Sequence, residues 1–164
     1  MSEPSGGFVI AELGSCHDNR LSALRAFVAD AAAAGADAVK LQYWSSADRL
    51  AERRRAGNLN RDLYRKYQVP IHWLQQAAGW CEQAGVELMV TTYLPEDVGV
   101  VAPWVRRFKV ASFELLDDAL LLAHAPYGRP IYLSTGMAEE REVTRLFEPR
   151  FDGLDLTLLH CVSA

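Results

Sequence analysis

Short apolar runs alternate along the chain with longer amphipathic segments, giving six strand candidates with helices between them. Phe8 to Leu13 (FVIAEL) predicts the first strand, followed by the polar turn GSCHDN. An alanine-rich helix from about Leu21 to Ala34 comes next. Gly35 closes it, being the residue type that most readily takes the left-handed turn at a helix end. Ala36 to Gln42 (ADAVKLQ) predicts the second strand, and a long charge-rich stretch follows from Ser45 to Tyr67. Pro70 opens a helix that runs to about Ala84 and ends at Gly85. Val86 to Thr92, Arg107 to Ser112, Pro130 to Ser134 and Leu156 to His160 predict strands three to six, with helices near Glu96 to Pro103, Asp117 to His124 and Ala138 to Phe147.

Strands that are apolar throughout and separated by helices argue for a parallel sheet covered by helices. The chain has no Gly-rich phosphate loop, which favours an α/β barrel over a doubly wound sheet, although periodicity alone serves either. In both folds the active groups gather at the carboxyl ends of the strands. Those ends carry Glu12, then Lys40 and Gln42, Thr91 and Thr92, Lys109 with Ser112 and Glu114, Ser134 and Thr135, and His160 with Ser163. A purely structural sheet has no reason to end every strand in polar or ionisable residues.

Lys40 and Lys109 lie inside apolar strands, and lysine is rarely buried unless paired. Each suits either a rim position beside a carboxylate or an anion site. Two of them at strand ends point to a phosphate or carboxylate ligand. Glu12 suits an ion pair with Lys40 or a general base at the barrel mouth. Ser112, Ser134 and Thr135 are placed for phosphate hydrogen bonds, or for capping turns. Taken singly, Glu114 reads as a loop carboxylate, His17 as a solvated turn residue and His160 as a satisfied core histidine. Cys161 reads as a small buried hydrophobe. The run Arg53-Arg54-Arg55, among Asp48, Glu52 and Arg61, reads as a solvated helix or loop. Trp44, Trp73, Trp80 and Trp104 read as core or interface aromatics.

Composition narrows the class. The chain has 164 residues, half of them hydrophobic, and a formal net charge of −4, so no basic footprint for nucleic acid or for a membrane surface is present. An anionic substrate needs a local cluster of cations. Three widely spaced cysteines (Cys16, Cys81, Cys161) suggest a reducing compartment. With no signal pattern and no apolar run long enough to span a bilayer, a cytoplasmic protein is expected.

The segments FVIAELGSCHDN, AGADAVKLQ, FKVASFELLD, PIYLSTGMAEEREV and LTLLHCVSA, in that order and spacing, resemble the N-acetylneuraminate (sialic acid) synthase family from Phe8 to Ala164. The resemblance implies a (β/α)8 TIM barrel that condenses phosphoenolpyruvate with an N-acetylmannosamine-like amino sugar to give a nonulosonic acid. It implies phosphoenolpyruvate contacts by Lys40, Thr92, Lys109, Ser112 and Ser134, with Ser163 near another. Glu12 matches the carboxylate that assists condensation, and Gln42 and Glu114 match positions that touch the acceptor sugar. A divalent metal, manganese or magnesium, is implied for the complete enzyme, as is a homodimer. The chain departs from the family pattern at Cys16, at Asp18-Asn19, at TTYLPED after the third strand, and at Phe113, where glycine is usual.

About six βα units are expected in a single partial domain, 1–164. The last two strands with their metal-holding histidines, and a C-terminal antifreeze-like domain, are expected to lie outside it. On that expectation the chain is a fragment, inactive by itself. Two other readings compete with the synthase: a non-catalytic βα scaffold or partner subunit derived from the family, and another phosphoenolpyruvate-dependent aldol-type synthase.

Overall fold

Six parallel strands form one sheet in the order β1-β2-β3-β4-β5-β6, in a computed structural model that describes residues 7–162. The strands are β1 (Ile10–Gly14), β2 (Ala38–Tyr43), β3 (Glu87–Thr92), β4 (Phe108–Val110), β5 (Ile131–Ser134) and β6 (Leu156–Leu159). A doubly wound sheet reverses direction at a switch point, whereas strictly sequential order is that of a barrel wall. The architecture is therefore six consecutive strands of a (β/α)8 barrel with their connecting helices.

Helices α1 (Leu21–Ala33), α4 (Ile71–Ala84), α5 (Pro95–Val101), α6 (Asp118–Ala123) and α7 (Glu140–Thr144) lie in the connections between successive strands. Their boundaries have local causes. Gly35 follows α1 at φ +86° and Gly85 ends α4 at φ +74°, left-handed angles that glycine adopts without a Cβ clash. The Asp117 side chain accepts from the Leu120 amide at 3.0 Å and caps α6. Glu139 and Glu142 form a reciprocal capping box on α7.

Alternation along each strand sorts the side chains onto two faces. Val39, Leu41 and Tyr43 of β2, Leu88 and Val90 of β3, Phe108 and Val110 of β4, and Ile131 and Leu133 of β5 belong to one core beneath the helices. The alternate positions, Lys40 and Gln42, Met89 and Thr91, Lys109, Tyr132 and Ser134, take the opposite face. Towards the amino ends that inner face holds a polar knot. Arg107 donates to Glu87 Oε2 at 3.2 Å and to the Tyr132 hydroxyl at 3.0 Å, and its guanidinium lies 4.5 Å from the Phe8 ring centroid.

The charge-rich stretch after β2 is two helices, α2 (Ala47–Arg53) and α3 (Asn58–Tyr67). They carry a second, smaller core over the carboxyl ends of β2 and β3. Trp44, Ala47, Leu50, Tyr93 and Leu94 pack there, against Tyr64, Tyr67 and Ala111. Trp44 donates its indole N–H to the Tyr64 carbonyl at 3.0 Å. Gln68 ties both ends of the excursion, accepting from the Ala47 amide at 3.1 Å and donating to the Ser45 carbonyl at 2.6 Å. Beneath it, Asp97 is fully buried and accepts from the Ser45 amide at 2.9 Å. Burial pushes its carboxyl pKa up.

Phe108 is fully buried between His124 (centroids 4.8 Å apart) and Tyr127 (5.6 Å). Phe108→Ala is expected to cost about 3–5 kcal/mol, read as a fall in the urea midpoint at constant slope. A loss below about 1 kcal/mol would show that this part of the core is not as tightly packed as described.

Candidate active site at the strand carboxyl ends

Parallel register sets the inner residues side by side. Glu12 lies opposite Lys40, Gln42 opposite Thr91, and Thr91 opposite Lys109. Lys40 forms an ion pair with Glu12 and donates to Thr91 Oγ1 at 3.1 Å. The lysine is buried, while Glu12 remains half exposed at the mouth. Lys109 is also buried, and its ammonium donates to Ser134 Oγ at 2.7 Å and to the Val110 carbonyl at 2.6 Å.

Among the described residues no carboxylate pairs with Lys109. Burial pushes its pKa down to about 8, and the nearby Lys40 ammonium adds to the shift. The protein thus holds a protonated lysine at neutral pH at a cost, with its hydrogen bonds going to one hydroxyl and one carbonyl oxygen. Ser112 Oγ accepts from the Gly136 amide at 3.0 Å, which draws the end of β4 towards the loop after β5. The thiol of Cys161 lies at the same spot. A hydrogen bond with Ser134, then contacts with Thr135, Ser112 and Lys109, lower its pKa against the opposing effect of burial.

Beyond the lysines lies a second group. Gly14, at φ +48°, leaves open a space where a Cβ would stand 3.1 Å from Glu12 Oε1 and 3.7 Å from Gln42 Nε2. Glu114 is buried in the 3-10 turn Ser112–Glu114. Its Oε1 accepts from Arg54 Nε at 2.7 Å and forms an ion pair with Nη2 at 2.5 Å, and its buried Oε2 has no hydrogen-bond partner. Burial pushes the Glu114 carboxyl up, while Arg54 works in the opposite direction. The Arg54 guanidinium lies 4.8 Å from the ring centroids of both Tyr93 and Phe113 and 5.7 Å from that of Tyr64.

Several residues fall elsewhere than their sequence context suggests. Alternation carries Thr92 to the face of Leu88 and Val90, where it is fully buried with no partner for its hydroxyl; Thr91 is the threonine at Lys40. His17 is buried rather than solvated. The left-handed Asp18 and Asn19 turn it inward, edge-on to Trp73 at 5.4 Å, and burial lowers its pKa. His160 is exposed rather than in the core, and Cys161 is half-buried. Arg54 is an internal member of the site and not part of a solvated run. Its single clue was an arginine run facing an aromatic-rich helix, since no local pattern tied it to Glu114, 60 residues away. Ser163 lies outside the described residues.

Among the described residues no three His, Cys, Asp or Glu side chains converge to hold a metal ion. Glu12 and Glu114 already have cationic partners. The described residues therefore do not fit the divalent metal that the sequence resemblance implies.

Residues 27–164 match the model of the NeuB family. The chain belongs to the NeuB family. It is 28% identical to a pseudaminic acid synthase of Campylobacter jejuni, over 96% of this chain and 50% of that protein. It is 29% identical to the spore coat polysaccharide biosynthesis protein SpsE of Bacillus subtilis, over 95% of this chain and 44% of the relative. A solved sialic acid synthetase from Leptospira borgpetersenii, in complex with citrate, superposes with a TM-score of 0.86 at 24% identity, covering 96% of this chain and 54% of that one. This NeuB-family chain thus spans about half the length of the relatives it matches. The structural likeness bears out the barrel fold read from the strand pattern.

The depressed Lys109 pKa has a stability consequence. Between pH 8 and the ordinary 10.5 the unfolded chain binds more protons at this residue, so its contribution to stability rises with pH across that window. Below pH 8 the buried charge is a standing cost. Lys109→Met is expected to be more stable at pH 7 by on the order of 1 kcal/mol, with the gain shrinking towards pH 10.5. Urea denaturation of both proteins across this range checks it, and a pH-independent difference would contradict it.

Proposed function

We propose that this chain carries the phosphoenolpyruvate site and one wall of the acceptor site of a nonulosonic acid synthase. The observation that carries the reading is Lys109, a buried ammonium with hydroxyl partners, a second ammonium close by and no paired carboxylate among the described residues. A phosphate or carboxylate group would supply the missing counter-charge, and binding it would raise the Lys109 pKa again. Ser134 and Ser112 supply hydroxyls at the same spot. Family membership and relatives named as pseudaminic acid synthases support the same assignment.

In this reading the reaction joins C3 of phosphoenolpyruvate to the aldehyde carbon of an open-chain N-acylated amino sugar. Water adds at C2, the C2–O bond to phosphate breaks, and inorganic phosphate leaves. Lys40 and Lys109 neutralise the phosphate and carboxylate charges as they redistribute. Glu12, half exposed beside Lys40 and Gln42, stands at the boundary between donor and acceptor and is the group to move a proton there. Gln42 faces the sugar in this reading, and Glu114, buried against Arg54, borders that end of the site. We place the reaction in the cytoplasm of a homodimeric enzyme. The divalent metal it uses would take its ligands from residues other than those described.

Calorimetric titration with phosphoenolpyruvate at pH 7 tests the reading. Lys109→Ala is expected to weaken binding at least about ten-fold, roughly 1.4 kcal/mol, with inorganic phosphate competing against the wild-type site. The affinity is expected to fall as pH rises through about 8. Equal affinity in wild type and variant, or no binding by either, would contradict the assignment and favour a scaffold without a ligand.

A further inference from the structure

We infer that Cys161 is an oxidant-sensitive modification site built into the anion pocket, and that its sulfenate takes the place of the anionic ligand beside Lys109. The chemistry of the sulfur stands by itself. Its consequence for phosphoenolpyruvate rests on the synthase reading.

The sulfur belongs to a cluster and is not a solitary thiol. Cys161 is half-buried just past β6, against Ser134, Thr135 and Ser112. Its thiol donates to the Leu159 carbonyl at 3.5 Å. The same carbonyl accepts from the Thr135 amide at 3.0 Å and from Thr135 Oγ1 at 3.1 Å. Loss of the thiol proton therefore leaves that carbonyl satisfied. Two serine hydroxyls are set to support the thiolate that results. Ser134 Oγ accepts from Lys109 Nζ at 2.7 Å, and Ser112 Oγ accepts from the Gly136 amide at 3.0 Å. Each hydroxyl keeps its own proton to donate, and the Cys161 sulfur lies beside both. The hydrogen bond from Ser134 does most to hold the thiol below its ordinary range, against the effect of burial. The Thr135 amide, Ser112 and the charge of Lys109 add to it.

A separate observation points to an anion at this spot. Lys109 is only 6% exposed, and no carboxylate pairs with it among the described residues. Thiolates are the form that oxidants attack. Here the sulfur attacks one oxygen of hydrogen peroxide and the O–O bond breaks. The departing hydroxide takes the proton of the sulfenic acid and leaves as water. Sulfur loses two electrons, peroxide gains two, and a sulfenate remains beside Lys109. Its oxyanion supplies the counter-charge that Lys109 lacks, and so excludes a phosphate or carboxylate from the same ammonium. A dithiol reverses the step. One of its thiols displaces water to form a mixed disulfide, and the other then displaces the cysteine sulfur. The remaining cysteines serve as references. Cys81 is buried, and burial pushes its thiol up to about 12. Cys16 is exposed in the turn after β1.

The test treats the protein with hydrogen peroxide at pH 7, traps sulfenic acid with dimedone and reads each cysteine by peptide mass spectrometry. Cys161 is expected to label at least about ten-fold faster than Cys16, with Cys81 silent. Saturating inorganic phosphate, or phosphoenolpyruvate, is expected to slow Cys161 several-fold and to leave Cys16 unchanged. In calorimetry without the trap, peroxide is expected to weaken phosphoenolpyruvate binding at least about ten-fold, and dithiothreitol to restore it. Cys161→Ser is expected to bind equally before and after peroxide, which separates the sulfur from oxidation of the exposed Met137. Several results would overturn the site: labelling of Cys161 no faster than that of Cys16, or no protection by either anion. So would a phosphoenolpyruvate affinity that survives oxidation of Cys161, or that falls equally in Cys161→Ser. Reduced protein that binds no phosphoenolpyruvate would remove the synthase reading, and the labelling rate with its protection by phosphate would then decide the sulfur site alone.

Discussion

Two ammonium groups on the inner face of a parallel sheet, with one paired carboxylate between them among the described residues, dominate the physics of this molecule. Lys40 has Glu12 as its partner, and Lys109 has Ser134 and a backbone carbonyl. Burial and the repulsion from Lys40 together hold Lys109 well below the ordinary lysine range. Such a charge is a cost to folding, and the surrounding packing must sustain it. The outer face carries that load. Val39, Leu41, Leu88, Val90, Phe108, Val110, Ile131 and Leu133 are locked under the helices, and their fixed register holds the lysines in place on the other side.

The sheet divides labour along its length as well as across it. Towards the amino ends the inner face is closed by neutralised pairs, Arg107 with Glu87 and Tyr132. Towards the carboxyl ends it carries Lys109, with no paired carboxylate among the described residues, the half-exposed Glu12 beside Lys40, and Glu114, whose buried Oε2 lacks a partner. Unfilled polar capacity gathers where a barrel presents its ligand site. The α2–α3 excursion adds an aromatic-lined cavity of about 190 Å³ beside Gln42 on one flank.

The strand ends of the sequence made the charged end legible. Glu12, Lys40, Gln42, Lys109, Ser134 and Glu114 each follow an apolar run, and the one-dimensional pattern was enough to place them near one another. The pattern could not choose between Thr91 and Thr92, since adjacent residues on a strand point to opposite faces and the strand end hid which parity applied. Nor could it see α2 and α3 as a wall. Their helical faces bury few apolar residues, and what anchors them is Trp44, Gln68 and Arg54 reaching across 20 to 60 residues of chain. His17 escapes the local pattern for a similar reason, because two left-handed residues fold its turn onto Trp73. Long-range pairing of polar residues leaves no local periodicity.

The proposed site requires Lys40 and Lys109 to converge upon one anion, and the ammonium nitrogens can report on it directly. In a protein labelled with 15N at lysine, Nζ resonances followed by NMR against pH and phosphoenolpyruvate give each group its own titration. The expected result is that Lys109 titrates near pH 8 without ligand, and that its pKa rises when phosphoenolpyruvate is added. Lys40 Nζ should shift along the same binding isotherm. A Lys109 that titrates at the ordinary 10.5, or two lysines that respond at different ligand concentrations, would contradict the shared site.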